Sequence, residues 1–462
     1  MKRRLIFTSI CVLIGIVPAI AQFPVAPSLN AAIEAALAYN TQIKNQTLEQ
    51  RKSTEAARAV WNKYLPQLSA TAAYAYLNHD LKIDVPTVQL PLSGAQLFEG
   101  STTLHNKGNV FLAGLTAKQV LFSGGQILYG AKAMEAKNEG DRLMSETHKD
   151  EVIRDVIQSF DQLRLLKQAK QLMDEMEIRF QKETERVEKA IAQGLAVPYD
   201  RDKLKLASLN LASRKSELEG KKELLYLKIG VLTGYDTAQI QAVQYELIPV
   251  TFDLNPGVAD RNEWKALSAY EKALDYKLKK ERGSLLPTLG AFASYGYGSL
   301  FQASSSFPLT AAGDIQGRLR LNEATVSPNW LVAAVFRWEL FGGFERRHKI
   351  HEVKTDREIL NNRKQDAARM LNLQIQNNRI NYQQQMNQVA IASQKVTIAD
   401  HNLSSADKQY KLGLINVTER LTAESDWYEA KLEQVQALVN QRQAALQAYA
   451  GAAPLQSFIQ IQ

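Results

Sequence analysis

Two sets of side chains in this sequence have a type and spacing that suit chemistry. His348 and His351 lie three residues apart, with Glu352 beside them, so a helix would place both imidazoles on one face as candidate metal ligands. Two imidazoles without further ligands are a weak metal signal, and the segment ERRHKIHEVK is more simply a solvated helix. We therefore expect no metal and no cofactor, and an enzyme built on this pair is the alternative.

Asp200 and Glu419 form the second set, because each carboxylate follows a glycine, Gly194 or Gly413, by six residues. If both acids faced a threefold axis, six carboxylates would ring a narrow opening, which would favour cations and give sensitivity to pH. The alternative is that each is a solvated acid in the first turn of a helix, where it complements the helix dipole.

Familiar catalytic and nucleotide-binding motifs are missing from the sequence. It contains no phosphate-binding loop, no nucleophile elbow and no G-x-G-x-x-G between a strand and a helix. The formal net charge of +8 is spread over 462 residues without a block of Lys and Arg, which argues against nucleic acid as a partner. We expect a protein that is not an enzyme.

The N-terminal stretch MKRRLIFTSICVLIGIVPAIAQ has the basic start, apolar run and small-x-small site of a secretory signal. Cleavage after Ala21 would remove Cys11, the only cysteine, so the exported chain would contain no thiol. No later apolar run approaches the roughly 18 residues of a membrane helix. An exported chain of this kind can cross a membrane only as a closed β-barrel.

The second half of the sequence repeats the first in order. YLPQLSATAAYAYL at 64–77 corresponds to LLPTLGAFASYGYG at 285–298, and the Leu-Phe corners at 121–125 and 340–343 follow. Gly194 and Gly413 are 219 positions apart, as are Leu121 and Leu340 of the two corners. An internal duplication explains this order. We predict a signal peptide at 1–21, a first repeat at 22–235, a connecting segment at 236–260 and a second repeat at 261–462.

Each predicted repeat changes from helical to strand periodicity and back. The first contains a helix at 29–63, strands near 67–81 and 109–122 around a loop at 82–107, and an unbroken helical stretch at 126–193. The second contains strands near 288–300 and 329–341 around a loop at 302–328, and a helical stretch at 344–412. Return helices are predicted at 199–230 and 417–450.

Glycines mark the turns between these elements. The corners between strand and helix carry glycine pairs that would let the backbone bend, at Gly124, Gly125, Gly342 and Gly343. The tips of the helical hairpins carry a glycine that can close a helix and a leucine after it, at Gly194, Leu195, Gly413 and Leu414. At the second tip, Asn416 and Glu419 have the spacing of a helix cap.

Four strands are too few to cross a membrane alone. They leave two unpaired edges that lipid cannot satisfy, and the smallest membrane barrels need about eight strands. The predicted fold is therefore a mixed α and β membrane protein. Three copies would pool their strands into a homotrimeric 12-stranded barrel, which long coiled-coil helices continue as a tunnel. The alternative is a soluble coiled-coil protein with two small sheets.

These residues, taken in order, resemble those of the TolC-like outer-membrane efflux family. The resemblance covers nearly the whole predicted mature chain and includes SLNAAIEAALAYNTQIK, both Leu-Pro-x-Leu helix ends, the LFSGG corner, and the tips GLAVPYD and YKLGLINVTE. It implies a homotrimer in the outer membrane of a Gram-negative bacterium, extended across the periplasm. It also implies two partners, a periplasmic adaptor and an inner-membrane pump, for which the chain is a passive exit duct.

The family closes its tunnel near the hairpin tips. By resemblance, Tyr410 is the tyrosine of the closing network, Asp200 its acidic partner, and Glu419 one of two inner acids. This chain has Ile415 in place of an arginine and Thr422 in place of the second acid, so the sequence leaves open whether the gate uses salt bridges. A hydrogen bond between Tyr410 and Asp200 is the alternative. The tip segments 191–200 and 410–419 are expected to contact the adaptor.

The sequence leaves several functions open. A duct of this family serves drug efflux, metal-ion efflux or type I protein secretion, and the sequence does not separate these roles. A periplasmic coiled-coil structural protein without a pore is the alternative outside transport.

Overall fold

The computed structural model describes residues 25–84, 88–89, 96–98, 101–251, 257–309, 315–452 and 454–457. The predicted signal peptide at 1–21 lies outside these ranges. The helices and strands follow in the order α1 (Pro27–Tyr39), α2 (Thr41–Trp61), β1 (Gln67–Asp84), β2 (Val88–Gln89), β3 (Gln96–Phe98), β4 (Ser101–Phe122), α3 (Gln126–Ala192), α4 (Pro198–Thr233), α5 (Thr237–Ala242), α6 (Asn262–Gly283), β5 (Thr288–Leu309), β6 (Ile315–Arg337), α7 (Glu345–Lys411) and α8 (Val417–Ala452).

The chain forms two compact units, each assembled from separate stretches of sequence. The helical unit takes its described residues from 1–51, 138–270 and 360–462, and the sheet unit takes its residues from 52–137 and 271–359. Both predicted repeats contribute to both units, so the boundaries at 235 and 260 remain a prediction.

In the sheet unit, four long strands form an antiparallel sheet in the order β1-β4-β5-β6. The order leaves β1 and β6 at the two edges. The strands contain 18, 22, 22 and 23 residues, about twice the 9–11 residues that cross a membrane. A membrane would therefore cover only part of their length.

The strands are longer than the sequence pattern predicts, and much of the two predicted loops belongs to them. Within 82–107, β1 continues to Asp84 and β4 begins at Ser101; within 302–328, all described residues lie in β5 and β6. Residues 85–87, 90–95, 99–100 and 310–314 of these loops lie outside the described ranges. For the described ends the prediction of a loop is wrong, because serine and charged side chains do not mark turns here. They occupy cross-strand pairs instead, such as Asp80 with His105 and Ser304 with Arg320.

At the end of the sheet that leads into the glycine corners, one face is apolar across all four strands. Directly paired residues of neighbouring strands share a face, so the registers assemble two rows: Ala70, Leu115, Tyr295 and Trp330, and then Leu68, Ala117, Ala293 and Val332. We call this the band face. The opposite face is mixed at the same level, where Ser69, Thr116 and Ser294 share a row with Leu331.

Farther from the glycine corners, the two faces exchange character. The band face now carries polar rows, Asn78, Lys107, Ser304 and Arg320, and then Asp80, His105, Ser306 and Arg318. The opposite face becomes apolar with Leu77, Ala303 and Leu321. This opposite face lines a cavity of about 290 Å³ here and most of a second cavity, of about 610 Å³, at the end near the glycine corners. We call it the cavity face.

The hairpins of the chain are equal in length. Helices α3 and α7 contain 67 residues each, and α4 and α8 contain 36 each. The uninterrupted helical patterns at 126–193 and 344–412 predict α3 and α7 to within one residue at each end. The predicted helix at 29–63 is instead divided, because Asn40 ends α1 and its side-chain oxygen accepts a hydrogen bond from Ile43 N at 3.0 Å.

A buried core joins α1, α3, α4 and α8 in the helical unit. Its most buried members include Leu29, Phe160, Ile229 and Leu446. None of the helices in the described ranges combines the length and the apolar character that a membrane span requires.

The connecting segment at 236–260 passes through this unit with its backbone held by side chains. Gln441 accepts a hydrogen bond from Val250 N at 2.9 Å and donates to Val250 O at 2.6 Å. Tyr449 donates to Thr251 O at 3.0 Å. Such bonds satisfy an extended segment that has no neighbouring strand among the described residues.

A buried ion pair fixes the same segment to two helices. Arg442 of α8 donates to Asp161 of α3 at 2.9 Å, and Tyr245 of the segment donates to the other oxygen of Asp161 at 2.7 Å. Both charged side chains are almost completely buried. Pairing is what makes burial of the two charges tolerable.

Candidate functional site

The two hairpin tips have the same backbone geometry. Gly194 and Gly413 adopt φ of 74° and 72°, the left-handed region that favours glycine. Leu195 N donates to Ala190 O and Gly194 N to Ile191 O, which is the Schellman pattern of a helix end. The nitrogens of the second leucine and glycine make the equivalent bonds near the end of α7.

Each tip presents one leucine to solvent. Leu195 is 78% exposed and Leu414 is 70% exposed, although leucine gains most by burial. At both tip glycines a Cβ atom would find open space, so only the positive φ restricts the residue there.

The return helices begin differently at the two tips. Pro198 takes the first turn of α4, and Val197 before it provides no side-chain cap. At α8, Asn416 Oδ1 accepts from Glu419 N at 3.0 Å, and Asn416 Nδ2 donates to Glu419 Oε1 at 3.1 Å. The cap that the spacing of these two residues predicts is thus present.

The acids of the predicted gate lie in the first turns of the return helices. Asp200 is half-buried in the first turn of α4, and Glu419 is an exposed capping residue of α8. Within the single chain, each complements a helix N-terminus. Whether the two acids line a common opening stays a prediction, because it concerns the assembled copies.

Tyr410, the third predicted gate residue, lies near the end of α7. It packs against a small buried cluster of Val187, Leu204 and Val417 that joins the two hairpins. Burial raises the pKa of its hydroxyl to about 12, with further contributions from a hydrogen bond to Glu183 and from the charge of that carboxylate. Glu183 of α3 is thus the acid that Tyr410 meets in this chain, where the resemblance implies a residue of α4.

Behind Tyr410 lies a buried ionic cluster, which comprises Glu183, Asp407, Arg420 and Glu424. Arg420 Nε donates to Asp407 at 2.7 Å, and its Nη1 lies 3.4 Å from Glu424 and 3.8 Å from Glu183. Both glutamates are almost fully buried, whereas Asp407 is partly open to solvent. Arg186 lies 2.8 Å from Glu183 and Arg179 lies 3.9 Å from Glu424, so partly exposed arginines flank the cluster.

The cluster is incompletely satisfied. Both carboxylate oxygens of Glu424, one of Glu183 and Nη1 of Arg420 are buried without a hydrogen-bond partner among the described residues. Burial raises the pKa of Glu424, and the charges of Arg420 and Arg179 oppose that rise. Such groups are costly, which makes the cluster a place where helix packing is sensitive to charge.

None of the sequence motifs identifies this cluster in advance. A signal exists, because Glu183 continues the buried α3 stripe through Met176 and Phe180, and Glu424 occupies a buried α8 position between Val417 and Tyr428. Charged residues at buried stripe positions mark a polar core site. The spacing alone does not reveal that the two glutamates share one arginine.

The glycine corners occur in the sheet unit. Gly124 and Gly125 have φ of 63° and 81°, and Gly343 and Phe344 have 63° and 66°. The left-handed bend therefore falls at corresponding positions of both corners, with Phe344 in place of the second glycine. Gly342, which the sequence pattern assigns to the bend, corresponds to Ser123 and lies outside it.

The two histidines considered as metal ligands lie early in α7, at 348 and 351. Among the residues that the structure describes, no group of three or more His, Cys, Asp or Glu side chains is arranged to hold a metal ion.

Comparison with known proteins finds a family match over part of the chain and a shared fold. Residues 259–452 match the family described as outer membrane efflux protein. The fold of the chain is similar to CusC, a protein studied for transmembrane channel formation, with a TM-score of 0.73 at 13% identity over 94% of this chain and 93% of that one. A search of curated sequences returned no match.

Two outer membrane channels have a similar fold. CmeC of Campylobacter jejuni has a TM-score of 0.69 at 14% identity over 93% of this chain and 86% of that one. MtrE of Neisseria gonorrhoeae, in its open state, has a TM-score of 0.65 at 15% identity over 94% of each chain. The family match covers less than half of the chain, and the similar structures show that the chain has the fold of these outer membrane channels.

Proposed function

We propose that three copies of this chain form a passive exit duct, through which solutes leave the cell after a pump delivers them by way of an adaptor. The proposal rests on the open four-stranded sheet with an apolar band on one face. Two unpaired edges and a lipid-compatible face are the features of a barrel segment that needs neighbours. Three such segments provide 12 strands.

The level of the membrane follows from the rows of the sheet. On the band face, apolar residues extend from Leu68 to Tyr76 along β1, which is nine residues and matches the membrane requirement. Tyr74 and Tyr76 lie toward one end of this stretch and Trp330 lies toward the other, as expected of aromatic side chains that favour the interfaces. Beyond the tyrosines, the polar rows would stand in the external solvent.

Exposed apolar stripes on the helices support assembly with further copies. On α4 the exposed apolar residues include Leu206, Leu209, Leu224, Leu227 and Val231, and on α7 they include Leu373, Ile380, Ile391 and Ile398. The α7 residues form two pairs separated by seven residues, the period of a coiled-coil seam. We propose that the α7 stripe of one copy packs against the α4 stripe of the next, which continues the barrel as a helical tunnel.

The tips carry two proposed roles. Leu195 and Leu414 are the exposed apolar residues that an adaptor would cover, together with the rest of 191–200 and 410–419. Behind them, we propose that Tyr410 with the buried ionic cluster holds the two hairpins together in the closed duct. Separating α8 from α3 would expose the two buried glutamates to water, so opening is coupled to hydration of these charges.

The equal lengths of α3 and α7, and of α4 and α8, support an origin by internal duplication. The matching bends at Gly124 and Gly343 support it further, because an identical offset of 219 residues relates helices, corners and tips. Both halves would then supply the same strand-to-helix transition to the wall of the duct.

Native mass spectrometry of the detergent-extracted protein tests the assembly. We expect the wild-type protein to form a particle of three chains. The matched variants are Ile380→Asp, which changes the proposed α7 seam, and Asn372→Asp, an exposed position of the same helix that lies about 100° around the helix axis from Leu373 of the seam. We expect the first to dissociate the trimer and the second to leave it intact. A wild-type protein that is monomeric and soluble without detergent would contradict the proposal.

A further inference from the structure

The cavity of about 290 Å³ lies at the end of the sheet far from the glycine corners. Residues from all four strands line it on the cavity face. Its apolar lining consists of Leu77, Leu300, Ala303, Leu319 and Leu321. The volume is close to the lower limit of about 300 Å³ for pockets that hold small organic ligands.

A bulge in β5 places part of this lining. Asn109 pairs with Phe301, whereas Lys107 pairs with Ser304, so β5 contains one extra residue at this point. Gln302 has a φ of 47° there, which is unusual for a residue with a side chain. The extra residue turns Ala303 and Ser305 onto the cavity face. Without the bulge, both would lie on the opposite face.

Gly108 keeps the floor of the cavity open. A Cβ atom at this position would lie 3.0 Å from Ala303 Cβ and 3.3 Å from a methyl group of Leu300. Any other residue at this position would therefore push against Ala303 and Leu300. The absence of a side chain keeps the space above β4 free.

A few polar groups meet the apolar lining at one end. His79, Asn106 and Ser305 form one row across the sheet. The hydroxyl oxygen of Ser305 is buried and has no hydrogen-bond partner among the described residues. An unpaired hydroxyl beside apolar walls is the pattern of a site that orients a ligand with one polar group.

We propose that this cavity binds a small organic molecule with an apolar body and one hydroxyl or similar polar group. Its place within the conducting path rests on the proposed function, because the cavity face becomes the inner wall only in the assembled barrel. Leucine side chains would then contact the solute at the outer end of the duct. This chemistry suits amphipathic organic solutes, whereas the lining offers a metal ion a single imidazole, that of His79.

Protection of single cysteines from alkylation tests the proposal in the detergent-purified protein. All variants carry Cys11→Ser, so the introduced thiol is the only one. Leu319→Cys reports on the cavity face, and Arg320→Cys is the matched control, because it is adjacent, exposed and on the opposite face. The reagent is N-ethylmaleimide, and the probe is 1-naphthol, with sorbitol as a polar comparison.

We expect 1-naphthol to slow alkylation at 319 about tenfold when its concentration is ten times its dissociation constant, because only the free site reacts. Alkylation at 320 should stay unchanged, and sorbitol should protect neither position. Equal slowing at both positions, or none at 319, would overturn the proposal.

Calorimetry provides a second measurement that does not depend on the cysteine variants folding. Wild-type protein should bind 1-naphthol saturably, and Leu321→Asn should lose this binding. Ser305→Ala should weaken 1-naphthol more than naphthalene, which has no hydroxyl; equal weakening would contradict the role of the serine. Failure of the proposed duct would show separately, as a wild-type protein that binds the probe but conducts no ions.

Discussion

Arg420 and Asp407 form an ion pair across the turn of the second hairpin, with Arg420 Nε donating to Asp407 at 2.7 Å. The arginine side chain is only 9% exposed, and Asp407 forms the open side of the pair at 38%. Glu183 and Glu424 lie on its buried side. Arg420 is thus the buried positive charge near both glutamates, which also have partly exposed arginines beside them, Arg186 at 2.8 Å from Glu183 and Arg179 at 3.9 Å from Glu424.

Replacing this arginine should destabilise the tip region strongly. Arg420→Met removes the only buried cation that the described part of the chain places beside Glu183 and Glu424, while the more exposed Arg186 and Arg179 remain. Breaking a buried ion pair typically costs about 3–5 kcal/mol in the free energy of unfolding, and we expect a loss toward the lower end of that range. Arg201→Met is the control, because its pair with Asp202 is exposed and such pairs contribute about 1 kcal/mol or less. Chemical unfolding followed by circular dichroism measures both. Equal effects of the two substitutions would show that the buried cluster contributes no more to the free energy of unfolding than an exposed ion pair does.

The face assignment of the sheet predicts an asymmetry between two neighbouring alanines. Ala72 lies on the band face, midway between Leu68 and Tyr76, and Ala73 lies on the cavity face. If the band contacts lipid, Ala72→Arg should cost about 2–4 kcal/mol near the middle of the membrane, whereas Ala73→Arg places its charge in the aqueous interior. The fraction of protein that refolds into lipid vesicles measures the difference. A lower yield for Ala73→Arg than for Ala72→Arg would reverse the assignment.

The two strand-to-helix corners should respond differently to the same substitution. At Gly124 a Cβ atom would lie 2.3 Å from Gly283 O, whereas at Gly343 it would find open space. Both have φ of 63°, so alanine costs about 1–2 kcal/mol of strain at either position. Gly124→Ala carries the backbone collision in addition.

Thermal melting of the purified variants tests this difference. We expect Gly124→Ala to lower the midpoint clearly more than Gly343→Ala does. Similar midpoints for the two variants would mean that the backbone around Gly283 can move away at little cost.

Asp150 should make the stability of the helical unit depend on pH. Burial raises the pKa of this carboxyl from 3.8 to about 7; Glu146 and Glu263 add to the rise, and the hydrogen bond from Leu455 N and the charge of Arg154 oppose it. Between pH 4 and 7 the folded protein therefore holds a proton that the unfolded chain has released. The free energy of unfolding should fall as pH rises through this range.

Asp150→Asn removes the titration but keeps an oxygen that can accept from Leu455 N. Melting curves between pH 4 and 7 should be less dependent on pH in the variant than in the wild type. An unchanged slope would assign the pH dependence to other groups.

Much of the fold can be predicted from local sequence signals. The tips require glycine at positive φ and the second return helix requires a cap, so Gly194, Gly413 and Asn416 identify these turns directly. The long helices follow from the lack of breakers over 67 residues each. Such signals are local, and tertiary packing does not override them.

The rest depends on contacts between distant segments. The glycine pair before Phe344 predicts a bend at this corner, but nothing in the sequence indicates that Phe344 itself adopts a left-handed φ. Only comparison with the corresponding Gly125 suggests it. The ends of the strands are not predicted, because serine and leucine occur together there and the alternation of apolar and polar residues that marks a strand is lost. Tyr410 and Arg420 find their partner Glu183 on α3, more than 200 residues earlier, and pairing at that range is set by the fold.

Single-channel recording in planar lipid bilayers asks whether the assembled chains conduct. Purified wild-type protein should insert and pass ions in discrete steps without pump or adaptor, because a passive duct needs no energy source. Arg420→Met should raise the open fraction, since the buried cluster would no longer hold the tips closed. Bilayers that stay silent after insertion of the wild-type and of the Arg420→Met protein would contradict the duct.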